Sequence, residues 1–314
     1  MKNLLKLLSL VLFVTFLSSC DDNDDDNDTI VPTNTIVDVA INNNLSSLVA
    51  AVTRADLAIT LSGDGPFTVF APTNAAFQAL LDSNADWNSL NDIPVETLKS
   101  VLLFHVLSGS VASGDLSDTY VNTLSTGPNN EALSLQVEVT GGVEFNGDAT
   151  PVTVDVDASN GIVHVIDKVM LPPNVVTLAL NNAGFTSLVA ALTDGRHTTD
   201  FVSVLSGAGP FTVFAPTNAA FQALLDSNIE WSSLADVPVA TLEAVLLYHV
   251  VNEANVQSSQ LSNGDVATLG GTLTIDLTNG AQILTTSSQT ANIIVVDVQG
   301  TNGVIHGIDT VLIP

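Results

Sequence analysis

The sequence predicts an α+β fold used twice in tandem, and two observations carry that prediction. Gly65 to Asn84 reads GPFTVFAPTNAAFQALLDSN, and Gly209 to Asn228 repeats the same twenty residues 144 positions later. A period of that size is a whole domain, because solenoid repeats run far shorter. Within each copy, apolar residues first recur at helical spacing and then alternate, so helices come first and short strands after them.

The repeat extends on both sides of the identical block. Ser46 to Thr53 (SSLVAAVT) returns as Thr186 to Thr193 (TSLVAALT), Leu102 to Val106 (LLFHV) as Leu246 to Val250 (LLYHV), and Gly161 to Pro172 as Gly303 to Pro314. The offset drifts from 140 to 144 to 142, which places the insertions between blocks. One of them, Asp194 to Asp200 in the second copy, reads as a loop. Four segments are expected: a signal segment over 1–19, an acidic tether over 20–34, and domains over 35–172 and 173–314. Each domain is long enough to bury its own core. Pro172-Pro173-Asn174 leaves almost no linker, and two prolines stiffen it, so a narrow range of angles between the domains is expected.

In the first copy, Val37, Ala40, Ile41, Leu45, Leu48, Val49 and Val52 predict two short helices broken at Asn42-Asn43-Asn44. Pro66 to Phe70 reads as a buried strand. Thr73 or Asn74 would cap a helix over Ala75 to Leu81, and Pro94 suits the first turn of another that buries Leu98, Val101 and Leu102. From Val111 to Leu171 the pattern alternates through Leu133, Leu135, Val137 and Val139, with a turn signal at Asn146-Gly147-Asp148. The helices should therefore lie on one side of a β-sheet core.

The N-terminus has the shape of a secretory signal: Lys2 and Lys6, then the apolar run Leu7 to Leu17, too short for a comfortable membrane span. Leu17-Ser18-Ser19-Cys20 resembles a bacterial lipobox, which implies lipidation of Cys20 and anchoring in the membrane through its acyl chains. Cys20 is the single cysteine, so the domains must hold together through their cores. The tract DDNDDDND that follows reads as a self-repelling tether of at most ~45 Å up to Asn34, at about 3.3 Å per residue. It is no EF-hand, with Asp26 at loop position six and Pro32 at position twelve. Acidic residues behind a lipidated cysteine resemble surface-export signals in some Gram-negative lineages and retention signals in others; an outer-membrane, surface-exposed location is the one expected here.

The chain carries 33 Asp and Glu against 6 Lys and Arg, a formal charge of −27 that becomes −29 without residues 1–19. That charge repels polyanions, and Arg54, Lys99, Lys168 and Arg196 are too scattered to form a phosphate-binding patch. Nucleic acid is excluded as a partner; cationic, neutral or cation-bridged partners remain.

FTVFAPTNAAF, the [FY]HV segment and the closing NG-[IV]-[VI]-H-x-ID-x-[VL]-[LI]-P occur in order in both copies, and together they resemble the fasciclin-like domain over residues ~35 to 314. The resemblance implies a β-sheet wedge or sandwich wrapped by helices, an extracellular setting, and adhesion or matrix binding. It implies no enzyme and no cofactor. In adhesive members a Tyr-His pair among branched apolar residues is implicated in receptor contact; Tyr248-His249 matches it, whereas Phe104-His105 lacks the hydroxyl. An Asp-Ile pair nine residues before the closing histidine is linked to integrin contact, and Asp155-Val156 and Asp297-Val298 stand at that place with Val for Ile.

The residues by themselves also allow a plainer role. His105, His249, His164 and His306 sit among Leu102, Leu103, Val106, Val163 and Val165, where a histidine is more often a core residue bonded to backbone. If Tyr248 and His249 form a contact site, replacing both with Ala weakens adhesion and leaves the thermal melt near wild type. Within either copy no two histidines lie three or four apart, so no metal site is expected. Asp155 and Asp157, two apart, should share a strand face. No G-x-S-x-G elbow is present, and Gly141-Gly142 and Gly270-Gly271 read as hairpin turns rather than phosphate cradles. The reading is a lipid-anchored surface protein that contacts matrix, protein or polysaccharide. The alternative is a periplasmic or surface accessory protein for a small apolar ligand or glycan. A deep apolar pocket lined by residues shared between the copies would favour the second, and an exposed apolar patch the first.

Overall fold

The computed structural model describes residues 34–314; the signal segment, Cys20 and the Asp-rich tract lie outside the described residues. The first copy opens with α1 (Ile36–Asn42), α2 (Ser46–Arg54) and α3 (Ala58–Ser62), three short helices where the sequence pattern suggests two. The breaks fall at left-handed residues, Asn44 (φ 56°) and Asp56 (φ 56°). Short polar side chains tolerate that conformation best. Strand β1 (Phe67–Pro72) leads into α4 (Asn74–Asp82), whose cap is Thr73: its hydroxyl accepts the Ala76 N–H at 3.1 Å. Asn74 instead ties α4 to α2, accepting Ser47 N–H and donating to Asn44 C=O, both at 2.9 Å.

After α5 (Val95–Phe104) come β2 (Val106–Ser108), β3 (Thr119–Thr126), β4 (Ala132–Glu138), β5 (Glu144–Phe145), β6 (Pro151–Ala158) and β7 (Gly161–Ile166). They form one seven-stranded sheet in the order β5-β4-β3-β2-β1-β7-β6. The β1–β7 pair is parallel and the others are antiparallel.

The second copy repeats this plan with α6 (Val175–Asn181), α7 (Thr186–Leu192), α8 (Phe201–Leu205), β8 (Phe211–Pro216), α9 (Asn218–Asp226) and α10 (Val239–Tyr248). Its remaining strands are β9 (Val250–Asn252), β10 (Gly264–Thr268), β11 (Gly271–Asp276), β12 (Gln282–Leu284), β13 (Thr290–Gly300) and β14 (Gly303–Ile308). Their order, β10-β11-β12-β13-β14-β8-β9, differs in that β13 is flanked on both sides. Among the described residues, no single helix is long and apolar enough to cross a membrane.

Each sheet separates two cores, because strand side chains alternate. Val69 and Ala71 of β1 face the helices, packing with Ile36, Leu48, Phe77 and Leu98. Phe70 points the other way, into a second core with Phe104, Leu133, Leu135 and Phe145, where the strands beyond β2 turn back over the sheet. Val213, Ala215 and Phe214 divide in the same way in the second copy. Helices therefore cover one face, and the sheet's own continuation covers the other.

The two domains meet along the β3–β4 hairpin. Its tip, Gly127 to Glu131, has no counterpart in the second copy, where Leu269 and Gly270 alone join β10 to β11. Asn129 Nδ2 donates to Asn255 C=O at 3.1 Å, and Ser134 Oγ accepts the Gln299 N–H at 2.9 Å. Asn181 donates to Asn146 C=O and Asn182 to the Tyr120 hydroxyl, each at 2.8 Å. Under this contact Asn255, Gln257 and Gln299 form a buried amide cluster, whose Gln299 Nε2 also serves the carbonyls of Gly300 and Gly303.

Candidate functional site

The Tyr-His and Phe-His segments lie where a helix runs into a strand. The last carbonyls of a helix lack partners within it. In the second copy the His249 ring meets that need, with Nδ1 2.7 Å from Val245 C=O, one turn back. Its other nitrogen accepts the Leu312 N–H at 3.0 Å. The two contacts fix a single neutral tautomer, Nδ1–H donating and Nε2 accepting. His105 repeats the arrangement with Val101 C=O (2.7 Å) and Met170 N–H (2.9 Å). Burial pushes both imidazoles down to about 4, against which the carbonyl contact acts in the opposite direction.

Tyr248 is 1 % exposed and Phe104 fully enclosed. The Tyr248 hydroxyl donates to Thr272 C=O at 2.6 Å. Gly270 packs so closely that a Cβ there would sit 2.5 Å from the Tyr248 nitrogen, which accounts for glycine in that turn. Tyr248, His249, Phe104 and His105 thus hold the helix end to the closing segment of each domain, with none of their rings at the surface.

Asp155 and Asp297 sit at β-bulges. Thr153 pairs with Val165 and Val156 with Val163, so one extra residue is inserted in β6; β13 does the same between Val295 and Val298. The aspartates take up the bulge with φ of 56° and 60°. Their N–H groups donate to the Nδ1 of His164 and His306, at 3.3 Å each, while Nε2 of those rings lies 2.9 and 2.8 Å from Val111 and Val256 C=O. The nine-residue spacing from Asp to His is therefore the span between a bulge and the imidazole that satisfies it. The Asp155 carboxylate accepts the Ser113 N–H (2.7 Å) and hydroxyl, which lower its pKa. The Asp297 carboxylate accepts the Ser258 N–H (2.6 Å) and hydroxyl. Asp155 and Asp157 are both exposed and flank the half-buried Val156. Val156 and Val298 pack into the helix-facing cores.

Asn160 and Asn302, unremarked among the candidates above, carry as many contacts as the histidines. Asn302 Oδ1 accepts the Val175 N–H at 3.0 Å and its Nδ2 serves Leu205 and Gly207 C=O at 2.8 and 2.7 Å. Asn160 does the same for Ile36, Leu61 and Gly63. The signal was the Asn-Gly in both closing blocks. The second-copy loop around His197 is also tied inward. Arg196 grips Asp194 and three carbonyls, and His197 Nε2 lies 2.7 Å from Ala191 C=O.

Two features bear on ligand choice. Apolar cavities recur at equivalent places, lined by Ile36, Val37 and Val69 in one domain and Val175, Val176 and Val213 in the other. Each holds about 20 Å³, room for about one water, whereas small-molecule sites run to roughly 300–1,000 Å³. At the surface, both copies expose branched apolar residues at matching positions: Val152 and Val154 on β6, Ile294 and Val296 on β13. Among the described residues no group of three His, Cys, Asp or Glu is placed to hold a metal ion.

Two seven-stranded α+β modules whose paired histidines and asparagines satisfy backbone groups define a tandem-domain scaffold. The Fasciclin domain profile matches residues 43–172 and 183–314, and the chain belongs to that family. It is 45 % identical over 140 residues to protein sll1483 of Synechocystis sp., covering 44 % of this chain and 74 % of that one. It is 32 % identical over 256 residues to human periostin, 81 % of this chain but 29 % of periostin, and 37 % identical over 143 residues to the transforming growth factor-beta-induced protein ig-h3 of Sus scrofa, 45 % of this chain and 20 % of that protein. A solved FAS1 domain pair from the insect cell adhesion molecule Fasciclin I covers 87 % of this chain and 95 % of its own, at 20 % identity and a TM-score of 0.47. Fasciclin domains are found in cell-adhesion proteins.

Proposed function

We propose that this chain is an adhesive protein of the cell surface, lipid-anchored in the outer membrane through Cys20, and that it contacts matrix, protein or polysaccharide through exposed faces of its two fasciclin domains. The observation that carries the reading is the pair of matching apolar tracts, Val152 and Val154 with Ile294 and Val296, which both copies leave in solvent. Exposed branched residues cost a soluble protein solubility, and their recurrence at equivalent positions fits a contact surface. The 20 Å³ cavities speak against carriage of a small apolar ligand. The Tyr-His and Asp-Val positions contribute by holding the helix ends and bulges that shape these faces.

Protease shaving of intact cells, followed by matrix-protein and glycan binding with the shaved and unshaved material, tests this. Release of the chain by protease, with loss of binding in an Ile294→Ser/Val296→Ser variant that melts normally, is the expected result. A chain that survives shaving untouched places it in the periplasm and ends the adhesive reading.

A further inference from the structure

Where the two domains meet, a solvent-connected cleft of about 350 Å³ opens beside the hairpin contact. Asp118, Tyr120, Gln136 and Glu138 of the first domain form one wall, and Asn182 and Val295 of the second form the other. The cleft exists only through the pairing of unlike domains, so neither copy alone contains it.

Its chemistry is one-sided. Gln136 Nε2 donates to Glu138 Oε1 at 2.8 Å, which fixes the amide so that Gln136 Oε1, buried with it, is left without a protein partner. Asp118 is held ionised by the hydroxyl of Thr140 and the N–H groups of Val139 and Thr140, which lower its pKa. Asn182 is already spent, donating to Tyr120 and accepting the Gly184 N–H. Burial raises the Tyr120 pKa, and the nearby Glu138 charge adds to that, so the phenol stays neutral. Two carboxylates and an aromatic ring therefore line the cleft, with no cationic side chain among the lining residues. An anion would be repelled, and an apolar group would desolvate the carboxylates without compensation. A planar cation bearing N–H donors suits both the ring and the acids.

We propose that the interdomain cleft binds the guanidinium group of an arginine presented by a protein partner, seated over Tyr120 beside Glu138. The assignment rests on the adhesive reading and names the partner chemistry for it. The −27 charge of the whole chain steers such a segment in from a distance, while the cleft selects the side chain.

Methyl NMR of the full-length chain, read at Val295, is titrated with acetyl-Gly-Arg-Gly-amide at 0.15 M salt. Saturable shifts at Val295 are expected. Glu138→Gln should weaken binding about five-fold or more, and Tyr120→Phe, which keeps the ring, by less than about three-fold. Glu230→Gln, the same charge change on an exposed loop of the second domain, should leave binding within about two-fold. Equal weakening by Glu138→Gln and Glu230→Gln overturns the site, because bulk charge then accounts for binding. Maltose giving the same shifts as the peptide overturns the ligand class. Either failure concerns the cleft alone, since the shaving experiment decides the surface reading independently.

Discussion

The Nε2 of His249 accepts the backbone N–H of Leu312 at 3.0 Å, across 63 residues of sequence. With Nδ1–H already committed to Val245 C=O, the ring has no room for a second proton: protonating Nε2 would set N–H against N–H. His105 stands in the same position against Met170.

This pairing predicts an early acid transition. Both imidazoles titrate near 4 when folded and near 6.5 when unfolded, so between those values the unfolded chain binds more protons and stability falls as pH falls. His306, also lowered by burial, adds in the same direction. Each of the two lowest sites contributes at most roughly 3 kcal/mol, fully present above 6.5 and lost by about pH 4. Denaturant midpoints measured from pH 7.5 to 4 should fall through this window, and a His105→Gln/His249→Gln variant should flatten the slope. An unchanged slope sinks the assignment.

Tyr248 and His249 are expected to behave as core residues. Truncating a fully buried aromatic costs ~3–5 kcal/mol, so Tyr248→Ala should lower the melt steeply, with any loss of adhesion following the loss of fold. Tyr248→Phe, the residue the first copy uses as Phe104, removes a single hydrogen bond worth ~1 kcal/mol, or roughly 2–4 °C. A double Ala variant that melts like wild type yet fails to adhere would restore the contact role expected from the motif.

Asn302→Ala strands one N–H and two carbonyls in a buried setting and should cost ~2–4 kcal/mol. Asn160→Ala breaks the equivalent bonds at a half-exposed place where water can replace them, and should cost clearly less. Chemical denaturation of both variants ranks them; the reverse order contradicts this account.

A Cβ on Gly127 would meet Gly300 C=O of the second domain at 2.7 Å and Leu133 Cδ2 of its own domain at 2.9 Å. Gly127→Val should therefore wedge the domains apart. Small-angle scattering should show a larger radius of gyration, and calorimetry should resolve two transitions where the parent shows coupling.

How much of this was legible in the sequence follows from what the repeat could and could not report. The identical block gave strand, cap and helix correctly, because Phe67 to Phe70 and Ala75 to Leu81 carry their own periodicities and Thr73 offers a hydroxyl at the right place. The third helix escaped because α3 is five residues long, too short for a periodic signal. The Tyr-His pair could be read as surface or core because flanking branched residues serve either role, and only the positions of Thr272 and Leu312 distinguish them. The bulges at Asp155 and Asp297 were not legible, because one inserted residue leaves no mark on an alternating pattern. The interdomain contacts were out of reach: Ser134 and Gln299 meet across 165 residues, and no pattern within one copy encodes a partner in the other.

That contact has a consequence for the duplication itself. The hairpin tip that reaches across exists in the first domain alone, and the buried amide cluster beneath the backbone groups it contacts, Asn255, Gln257 and Gln299, is replaced at the matching first-domain places by Ser110, Ala112 and Asp157. One copy has become the donor and the other the receiver. Exchanging their order would set a two-residue turn against an exposed carboxylate, with nothing to grip. Two modules that still share twenty consecutive residues are no longer interchangeable parts, and the pair has a direction.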